Sequence, residues 1–316
     1  MVSTGMPLSE AAEPSDPRPL LVDPRPLLSG HALDPAARAW LDEAVARIAD
    51  RPAAVRTLFP AARRRCGRAR LDAHWTVDEA ARAVLLAALP LGGRPLADEL
   101  AGLLRHGDPA EQRAVLRALH LLAGPRGDGP AREPLGDLAL PLVREALRGN
   151  DGSIVEAALG PYGAGRLPDT EYRQAVLKCV FLEIPLDRIA GIAARADAEL
   201  ARMLADFAHE RVAAGRDVPA DIWPVVRDFP AADQLTDRLT AETRAATPDR
   251  REAAGRALKA LRRATASAAS AQNTASAQNT ASAASAQNTA SAQNTASAAS
   301  AQNTAPAASA QNTASV

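Results

Sequence analysis

A recurring set of helix start signals is the feature of this chain that most constrains its fold. Asp34 followed by Pro35 places a capping carboxylate and a first-turn proline ahead of residues 36–50, which we expect to form a helix. No segment shows the period-two alternation or the enrichment in β-branched residues that is typical of strands. The chain is therefore predicted to be all-α.

Two other helix starts have the spacing of a capping box. Residues 76–79, Thr-Val-Asp-Glu, predict a helix over 80–89, and Asp108 with Glu111 predicts a helix that ends at Leu122. In such a box, the side chain at each end accepts a hydrogen bond from the backbone N–H of the other.

Further signals mark the second half of the chain. Asp169 is predicted to cap a helix over 170–183, and Gly149 and Gly215 lie where the caps at helix C-termini are expected. Together with the first signals, they predict about nine to eleven helices of roughly 8 to 20 residues, joined by short loops rich in glycine and proline.

Composition favours helix-on-helix packing. Alanine supplies much of the 47% apolar content and only 3% of residues are aromatic, so the core is built from strong helix formers with few large side chains. We expect the helices to pack as antiparallel pairs in an irregular or HEAT-like array. Both arrangements stay open, because the body shows no sequence repeat of about 30 to 50 residues.

Three regions are predicted. Residues 1–30 form a proline-rich arm with tandem Asp-Pro-Arg-Pro-Leu-Leu copies at 16–21 and 23–28, which we expect to be extended and disordered. Residues 31–263 form a single helical domain. Residues 264–316 carry no charge and repeat Ala-Gln-Asn-Thr six times, which predicts a disordered tail.

Charge and cysteine usage limit the function classes. The chain has 37 basic and 37 acidic residues, so no overall field favours nucleic acid or an anionic membrane, and neither is an expected partner. No apolar run is long enough for a membrane helix, and the N-terminus does not look like a signal peptide, so we expect a cytoplasmic protein. Cys66 and Cys179 are expected to be buried free thiols.

One predicted helix carries a polar face that invites chemistry. Arg202, Asp206, His209 and Glu210 lie opposite an apolar stripe that runs from Leu200. Asp206 can pair with either the arginine or the histidine, each one turn away. The face suits a metal or acid/base chemistry, or it is a solvated surface.

We favour the solvated surface, because carboxylate-bridged metal sites in helical bundles use two histidine motifs and further glutamates, and this chain offers one. The five histidines show no zinc-ligand spacing. No metal and no cofactor are predicted.

The preceding helix has its own stripe, Leu177, Val180, Phe181 and Ile184, with Lys178 and Cys179 flanking it. A buried lysine beside such a stripe can act as an amine nucleophile, because desolvation lowers its pKa. We favour instead a lysine whose ammonium group reaches solvent.

A set of residues within 150–223 has a distinctive order and spacing: Asn150-Asp151, Val176-Leu177-Lys178, Phe181, Arg195-Ala196-Asp197, Leu200-Ala201-Arg202-Met203-Leu204, Ala208-His209-Glu210-Arg211, Ala214-Gly215-Arg216, Pro219 and Trp223. In this stretch the chain resembles the EboA family, and a weaker, collinear similarity extends back to residue 58. Phe207 stands where the family pattern has a tyrosine, which removes one hydroxyl from any shared ligand site.

The resemblance implies an α-helical protein of a bacterial operon that also encodes a prenyltransferase-like membrane protein and TIM-barrel proteins. That operon is associated with making or moving a small metabolite precursor. We therefore expect an accessory protein that binds a small-molecule precursor or a partner protein of its own operon, without catalysis. One alternative is an enzyme that uses Lys178, Asp206, His209 and Glu210; a second is a helical-repeat interaction scaffold.

Ten polar residues are candidates for binding a ligand or partner, because most of them lie outside the apolar stripes at helix ends and flanks: Asn150, Asp151, Lys178, Arg195, Asp197, Asp206, His209, Glu210, Arg211 and Arg216. Their other interpretation is that they are caps and ion pairs that hold neighbouring helices together. Catalytic residues, ligand identity and oligomeric state are left open by the sequence.

Overall fold

The computed structural model of the chain describes residues 24–29, 33–124 and 133–270. In these ranges the secondary structure is helical, with one isolated β-bridge between Arg70 and Thr76 and no strand. The all-α prediction is confirmed. None of the helices in the described ranges combines the length and the apolar content needed to cross a membrane.

The α-helices, in chain order, are α1 (Pro24–Ser29), α2 (Pro35–Asp50), α3 (Val55–Cys66), α4 (Val77–Ala87), α5 (Gly93–His106), α6 (Pro109–Leu122), α7 (Leu140–Arg148), α8 (Gly152–Ala158), α9 (Pro161–Arg166), α10 (Asp169–Phe181), α11 (Ile192–Arg195), α12 (Ala198–Ala213), α13 (Trp223–Val226), α14 (Ala231–Glu242) and α15 (248–270). Ten of these have nine or more residues, which is within the range predicted from the helix signals.

The even-numbered helices from α2 to α14 form a row in which each helix packs against the next. The helices α3, α5 and α7 each pack against the even-numbered helix that follows them in the chain. Most of the buried leucine, valine and alanine side chains lie between these two sets. This pairing of consecutive helices follows the array that composition and loop length predict.

Local capping rules place several helix ends correctly. The Asp34 carboxylate accepts from the backbone N–H of Ala37 at 2.7 Å, and α2 begins at Pro35. Asp108 and Glu111 form the complete reciprocal box that starts α6. Each cap satisfies backbone N–H groups that a helix N-terminus otherwise leaves without a partner.

The predicted C-terminal caps are of two kinds. Gly215 has φ of 71° and follows the last turn of α12. Its N–H donates to the Val212 carbonyl, and the N–H of Arg216 donates to the Arg211 carbonyl, so this end is a Schellman motif. Gly149 ends α7 with φ of −69°, which any residue adopts.

At two predicted N-terminal caps the capping bond is absent, because the side chains have other partners. Thr76 Oγ1 donates to the Asp78 carboxylate at 2.7 Å, and the side chain of Thr76 forms no capping bond. Glu79, the other half of that box, pairs with arginines of α6. Asp169 is the first residue inside α10, where Pro168 holds the cap position, and its carboxylate pairs with Arg195 at 2.6 Å.

Of the apolar stripe predicted for α10, Val180 and Ile184 are buried, but the other two residues are not. Phe181 is 61% exposed and Leu177 is half-buried, whereas Cys179, predicted to flank the stripe, is fully buried. The helix is packed between α8 and α12, and these two neighbours set its buried face: Tyr172, Ala175, Val176, Cys179 and Val180.

The ends of the predicted arm and tail that adjoin the domain are helical, whereas the sequence predicted disorder there. Residues 24–29 form α1, which packs against α4 with Leu28 buried. Pro24 and Pro26 are compatible with this helix because a first turn needs no backbone N–H bonds. At the other end, α15 continues to residue 270, and Arg227 donates to the Ala264 carbonyl at 3.2 Å. The rest of both regions lies outside the described residues.

A buried arginine joins three helices. Arg82 of α4 is 0% exposed; its guanidinium donates to Asp78 at 2.7 Å and to the Phe59 carbonyl of α3 at 3.1 Å. It also lies 3.4 Å from the Glu111 carboxylate of α6. A buried guanidinium is tolerated only when its protons are paired in this way.

A buried carboxylate on the same helix forms a second cluster of ion pairs. Glu79 of α4 is 1% exposed and accepts from Arg113, with N–O distances of 2.7 and 2.8 Å, and from Arg117, both on α6. Arg117 reaches the Glu156 carboxylate of α8 at 3.5 Å, and Arg188 reaches the same group at 3.4 Å. These two clusters, which together we call the buried ion network, contain four arginines and four carboxylates: Arg82, Arg113, Arg117, Arg188, Asp78, Glu79, Glu111 and Glu156.

Replacing Glu79 by glutamine leaves Arg113 and Arg117 without their shared counter-charge in the core. We expect this to lower the free energy of unfolding by about 3–5 kcal/mol. The measurement is urea unfolding followed by far-UV circular dichroism.

The matched control is Glu199→Gln, which breaks the exposed pair of Glu199 with Arg202. It should cost roughly 0–1 kcal/mol, as surface pairs do. Equal stabilities of the two variants would show that the network does not hold the helices together.

Candidate functional site

The ten candidate residues do not converge on one site. Three lie at the α7–α8 corner or brace it (Asn150, Asp151, Lys178), two lie where α11 meets the start of α12 (Arg195, Asp197), and five lie along α12 or just beyond its end (Asp206, His209, Glu210, Arg211, Arg216). Each group has its own local partners.

At the first position, Asp151 caps α8. Its carboxylate accepts from the Ser153 hydroxyl at 2.6 Å and from the backbone N–H groups of Ser153 and Ile154. These bonds, led by the hydroxyl, hold the pKa of Asp151 below its ordinary value. Asn150 precedes it as an exposed residue in the short link from α7.

Lys178 reaches the same corner from α10. Its ammonium group donates to the Leu147 carbonyl at 2.7 Å and to the Gly149 carbonyl at 2.6 Å. A cation at the C-terminal end of a helix satisfies the last carbonyls and opposes the helix dipole. Lys178 therefore caps the end of α7 from a neighbouring helix. The sequence suggested a buried amine nucleophile or an ammonium group that reaches solvent, and neither describes this role.

At the second position, Arg195 is surrounded by partners. It donates to the Ala164 and Leu167 carbonyls at 2.5 and 2.8 Å, pairs with Asp169, and stacks 4.1 Å from the ring centroid of Tyr172. These contacts connect α11 to α9 and α10.

Asp197 caps α12 through the Leu200 N–H at 2.9 Å and pairs with Arg173 of α10. The Arg173 guanidinium is the main reason that the pKa of Asp197 is lowered. Asp197 therefore ties the start of α12 to α10.

The polar face of α12 packs toward α14. Asp206 pairs with Arg202, as expected, at 2.6 Å and with Arg238 of α14 at 2.7 Å. The expected contact of Asp206 with His209 is absent, because His209 turns to Glu242 of α14 at 3.4 Å. The face is neither a solvated surface throughout nor the expected pairing of Asp206 with His209. It is an ion-paired seam between two helices.

The end of α12 is held locally. Arg211 donates to the Asp217 carbonyl and lies 5.8 Å from the Phe207 ring centroid, while Glu210 and Arg216 are exposed. Phe207, where a tyrosine was expected, packs edge-on against Phe181 at 4.9 Å.

No group of three histidine, cysteine, aspartate or glutamate side chains suited to a metal occurs in the described ranges.

Both cysteines are free and buried, as the sequence predicts. Burial raises the pKa of the Cys66 thiol to about 11 and that of Cys179 to about 12. A thiol in this environment stays protonated near neutral pH and is a poor nucleophile.

In the native protein at about pH 8, we expect both thiols to react with Ellman's reagent far more slowly than a model thiol, since the thiolate is scarce and shielded. After unfolding in guanidinium, two thiols per chain should react at once. Rapid labelling of Cys179 before unfolding would contradict this burial. The single variants Cys66→Ser and Cys179→Ser assign each rate.

The cavity best suited to a small molecule lies among α5, α6, α7 and α8. We call it the α5–α8 cleft. Its volume is about 630 Å³, within the roughly 300–1,000 Å³ of small-molecule sites. Six residues form a mostly apolar floor: Ala101, Leu104, Pro141, Leu142, Ala146 and Ile154.

Charged and amide side chains form its rim. Arg148 pairs with Glu145, and Gln112 donates from its side-chain amide to the Leu104 carbonyl at 3.0 Å. Arg148 and, more weakly, Arg105 lower the pKa of Glu145, so Arg105 lies near that carboxylate. An apolar floor with a few polar groups at its edge is the usual pattern of a ligand site.

The α7–α8 corner shapes one wall of this cleft. Gly149 and Ile154 line it directly. Lys178 holds the Gly149 carbonyl and Asp151 holds the Ile154 N–H, so two of the ten candidates fix wall residues without lining the cavity themselves.

Two other cavities are less suited. A cavity of about 620 Å³ beside α9 and α11 is a shallow surface, and the arginine on it, Arg195, is already engaged. A smaller one of about 360 Å³ between α3 and α5 is lined largely by charged side chains.

Sequence reasoning did not find the α5–α8 cleft, because four helices contribute to it and no single helix carries a motif. The available signal was weak: Arg105 follows Ala101 by one helical turn, which places the two on one face of α5.

The comparisons with known proteins point to one family. The family model described as metabolite traffic protein EboA matches residues 68–227. The residues that line the α5–α8 cleft lie within this range, and so do the eight residues of the buried ion network. No curated protein and no solved structure matches the chain. Since the match covers just over half of its residues, the chain belongs to the EboA family of metabolite traffic proteins.

Proposed function

We propose that this protein is an accessory protein of metabolite traffic that holds a small organic molecule in the α5–α8 cleft, without transforming it. The observation that carries the proposal is the cleft itself, with its volume of about 630 Å³, apolar floor and polar rim, inside the part of the chain that matches the family. The ligand is proposed to be a precursor made by enzymes of the same operon.

The roles of the candidate residues support binding over catalysis. Lys178 is committed to two backbone carbonyls, Asp206 to two arginines, and His209 to Glu242. A catalytic acid, base or nucleophile must instead be able to reach a substrate atom within about 3 Å. In their observed positions these residues join helices.

Lys178 and Asp151 belong to the stretch that resembles the EboA family, and in this proposal they support one wall of the cleft. Because Lys178 and Asp151 fix the α7–α8 corner, they set the distance across the cavity without touching its contents. A rigid, preformed wall reduces the entropy cost of binding. We also propose a cytoplasmic location, which the free thiols support because such thiols are typical of reducing compartments.

Filling the cleft should block binding. Ala101 lies half-buried on its floor, and Ala101→Trp places an indole in the cavity. With phenylnaphthylamine as an uncharged fluorescent probe, we expect the variant to bind at least about tenfold more weakly than the parent protein, since the probe and the indole compete for the same space. Fluorescence titration measures the effect.

The control is Ala241→Trp on the exposed face of α14, which adds the same indole away from the cleft. It should bind the probe like the parent protein, and both variants should keep the parent's unfolding midpoint in urea. A probe that binds Ala101→Trp unchanged, or that binds none of the three proteins, would refute the proposed site.

A further inference from the structure

We infer that the α5–α8 cleft selects an organic anion, whose apolar body lies on the floor and whose carboxylate, sulfonate or phosphate group binds Arg105. This inference rests on the proposed function of the cleft. Some charges at the rim are already neutralised by neighbouring groups, and Arg105 is the cation that is not.

Arg105 differs from the other cations around the cleft. Arg148 pairs with Glu145, and Lys178 is bound to the carbonyl groups at the end of α7. Arg105 lines the cleft in an exposed position and forms neither a hydrogen bond nor an ion pair with any residue that the structure describes. Its guanidinium is therefore available to a ligand.

The balance of charge at the cleft points the same way. The lining contains Arg105 and Arg148 against the single carboxylate of Glu145. Behind the wall, Lys178 and Asp151 contribute one charge of each sign. One positive charge is left over, so a ligand with one negative charge would neutralise the cavity, and a cationic ligand would be repelled.

Helix ends modify this charge without reversing it. The C-terminal turns of α5 and α7 bring carbonyl groups with partial negative charge toward the cleft. Lys178 covers the carbonyls of α7, and Arg105 sits in the last turn of α5, where a cation is favourable. The carbonyl groups at the end of α5 carry only a partial negative charge. They therefore offset only part of the positive charge of Arg105, and the rest can attract an anion.

The chemistry of the guanidinium defines the head group. Its planar array of N–H donors forms paired hydrogen bonds with the oxygens of carboxylates, sulfonates and phosphates. The apolar floor provides contact area for a hydrocarbon or aromatic body next to it. Together they favour a molecule with one anionic end over a neutral molecule of the same shape.

Two probes with the same aromatic body test this. Anilinonaphthalene sulfonate carries a sulfonate that phenylnaphthylamine lacks. We expect the sulfonate probe to bind the parent protein about three- to tenfold more tightly, since Arg105 is solvated at the rim and its bond is charge-assisted. In Arg105→Met this advantage should disappear, while the affinity for phenylnaphthylamine stays within about twofold of the parent.

The matched control is Arg202→Met, which removes an exposed arginine on α12 and the same charge from the chain. It should preserve the preference for the sulfonate. Equal affinity of the parent for both probes, or a preference that survives Arg105→Met, overturns the inference while leaving small-molecule binding intact. Failure of both probes to bind instead overturns the proposed function.

A free organic anion and an anionic lipid head group would bind Arg105 through the same chemistry. A second experiment distinguishes them. In sedimentation with phosphatidylglycerol vesicles, we expect the parent and Arg105→Met to behave alike. Sedimentation that depends on Arg105 would assign the residue to a membrane surface and contradict a soluble ligand.

Discussion

The buried carboxylate of Glu79, shared by Arg113 and Arg117, is the interaction on which the arrangement of the central helices depends. It joins α4 to α6, and the contact of Arg117 with Glu156 carries the connection to α8. Because α5 packs on α6 and α7 packs on α8, the spacing of that central row determines the width of the cleft between the outer helices. Charges that never touch a ligand thus define the space in which one can bind.

The ion network also explains why this core needs so few aromatic side chains. The buried positions of α4 and α6 are mostly alanine, valine and leucine, and the stems of the buried arginines Arg82 and Arg117 add hydrocarbon to the same helix pair. Four cations and four anions leave the network neutral. Such a network is sensitive to the loss of one partner, since each remaining charge is then buried without compensation.

Local rules predicted the features that neighbouring residues decide. The cap at Asp34, the box at Asp108 and the turn at Gly215 depend on backbone groups within a few residues, and all three are present. Thr76 and Asp169 have similar signals, but the Thr76 hydroxyl binds Asp78 two residues further on, and Asp169 lies inside its helix and pairs with Arg195. The capping signals alone do not reveal those partners.

The candidate site was predictable only in part. The family-like residues Lys178 and Asp151 were identified, but their role as braces of the α7–α8 corner depends on carbonyl and N–H groups that only the fold brings near. Arg105 and the cleft floor were not identified, since the lining is divided among α5, α6, α7 and α8 and its residues are ordinary in isolation. Phe181 was assigned to the core from helical periodicity alone, yet α8 and α12 determine the buried face of its helix.

Two of the family-like polar residues, Lys178 and Asp151, are proposed to fix one wall of the α5–α8 cleft, and the cleft is proposed to hold the ligand. A crystal structure of the protein with anilinonaphthalene sulfonate tests it most directly. We predict the aromatic rings against Leu104, Leu142 and Ile154, with the sulfonate at Arg105 and the bonds of Lys178 intact. A probe bound along the α12–α14 seam, near Asp206 and His209, with the α5–α8 cleft unfilled, would contradict the account.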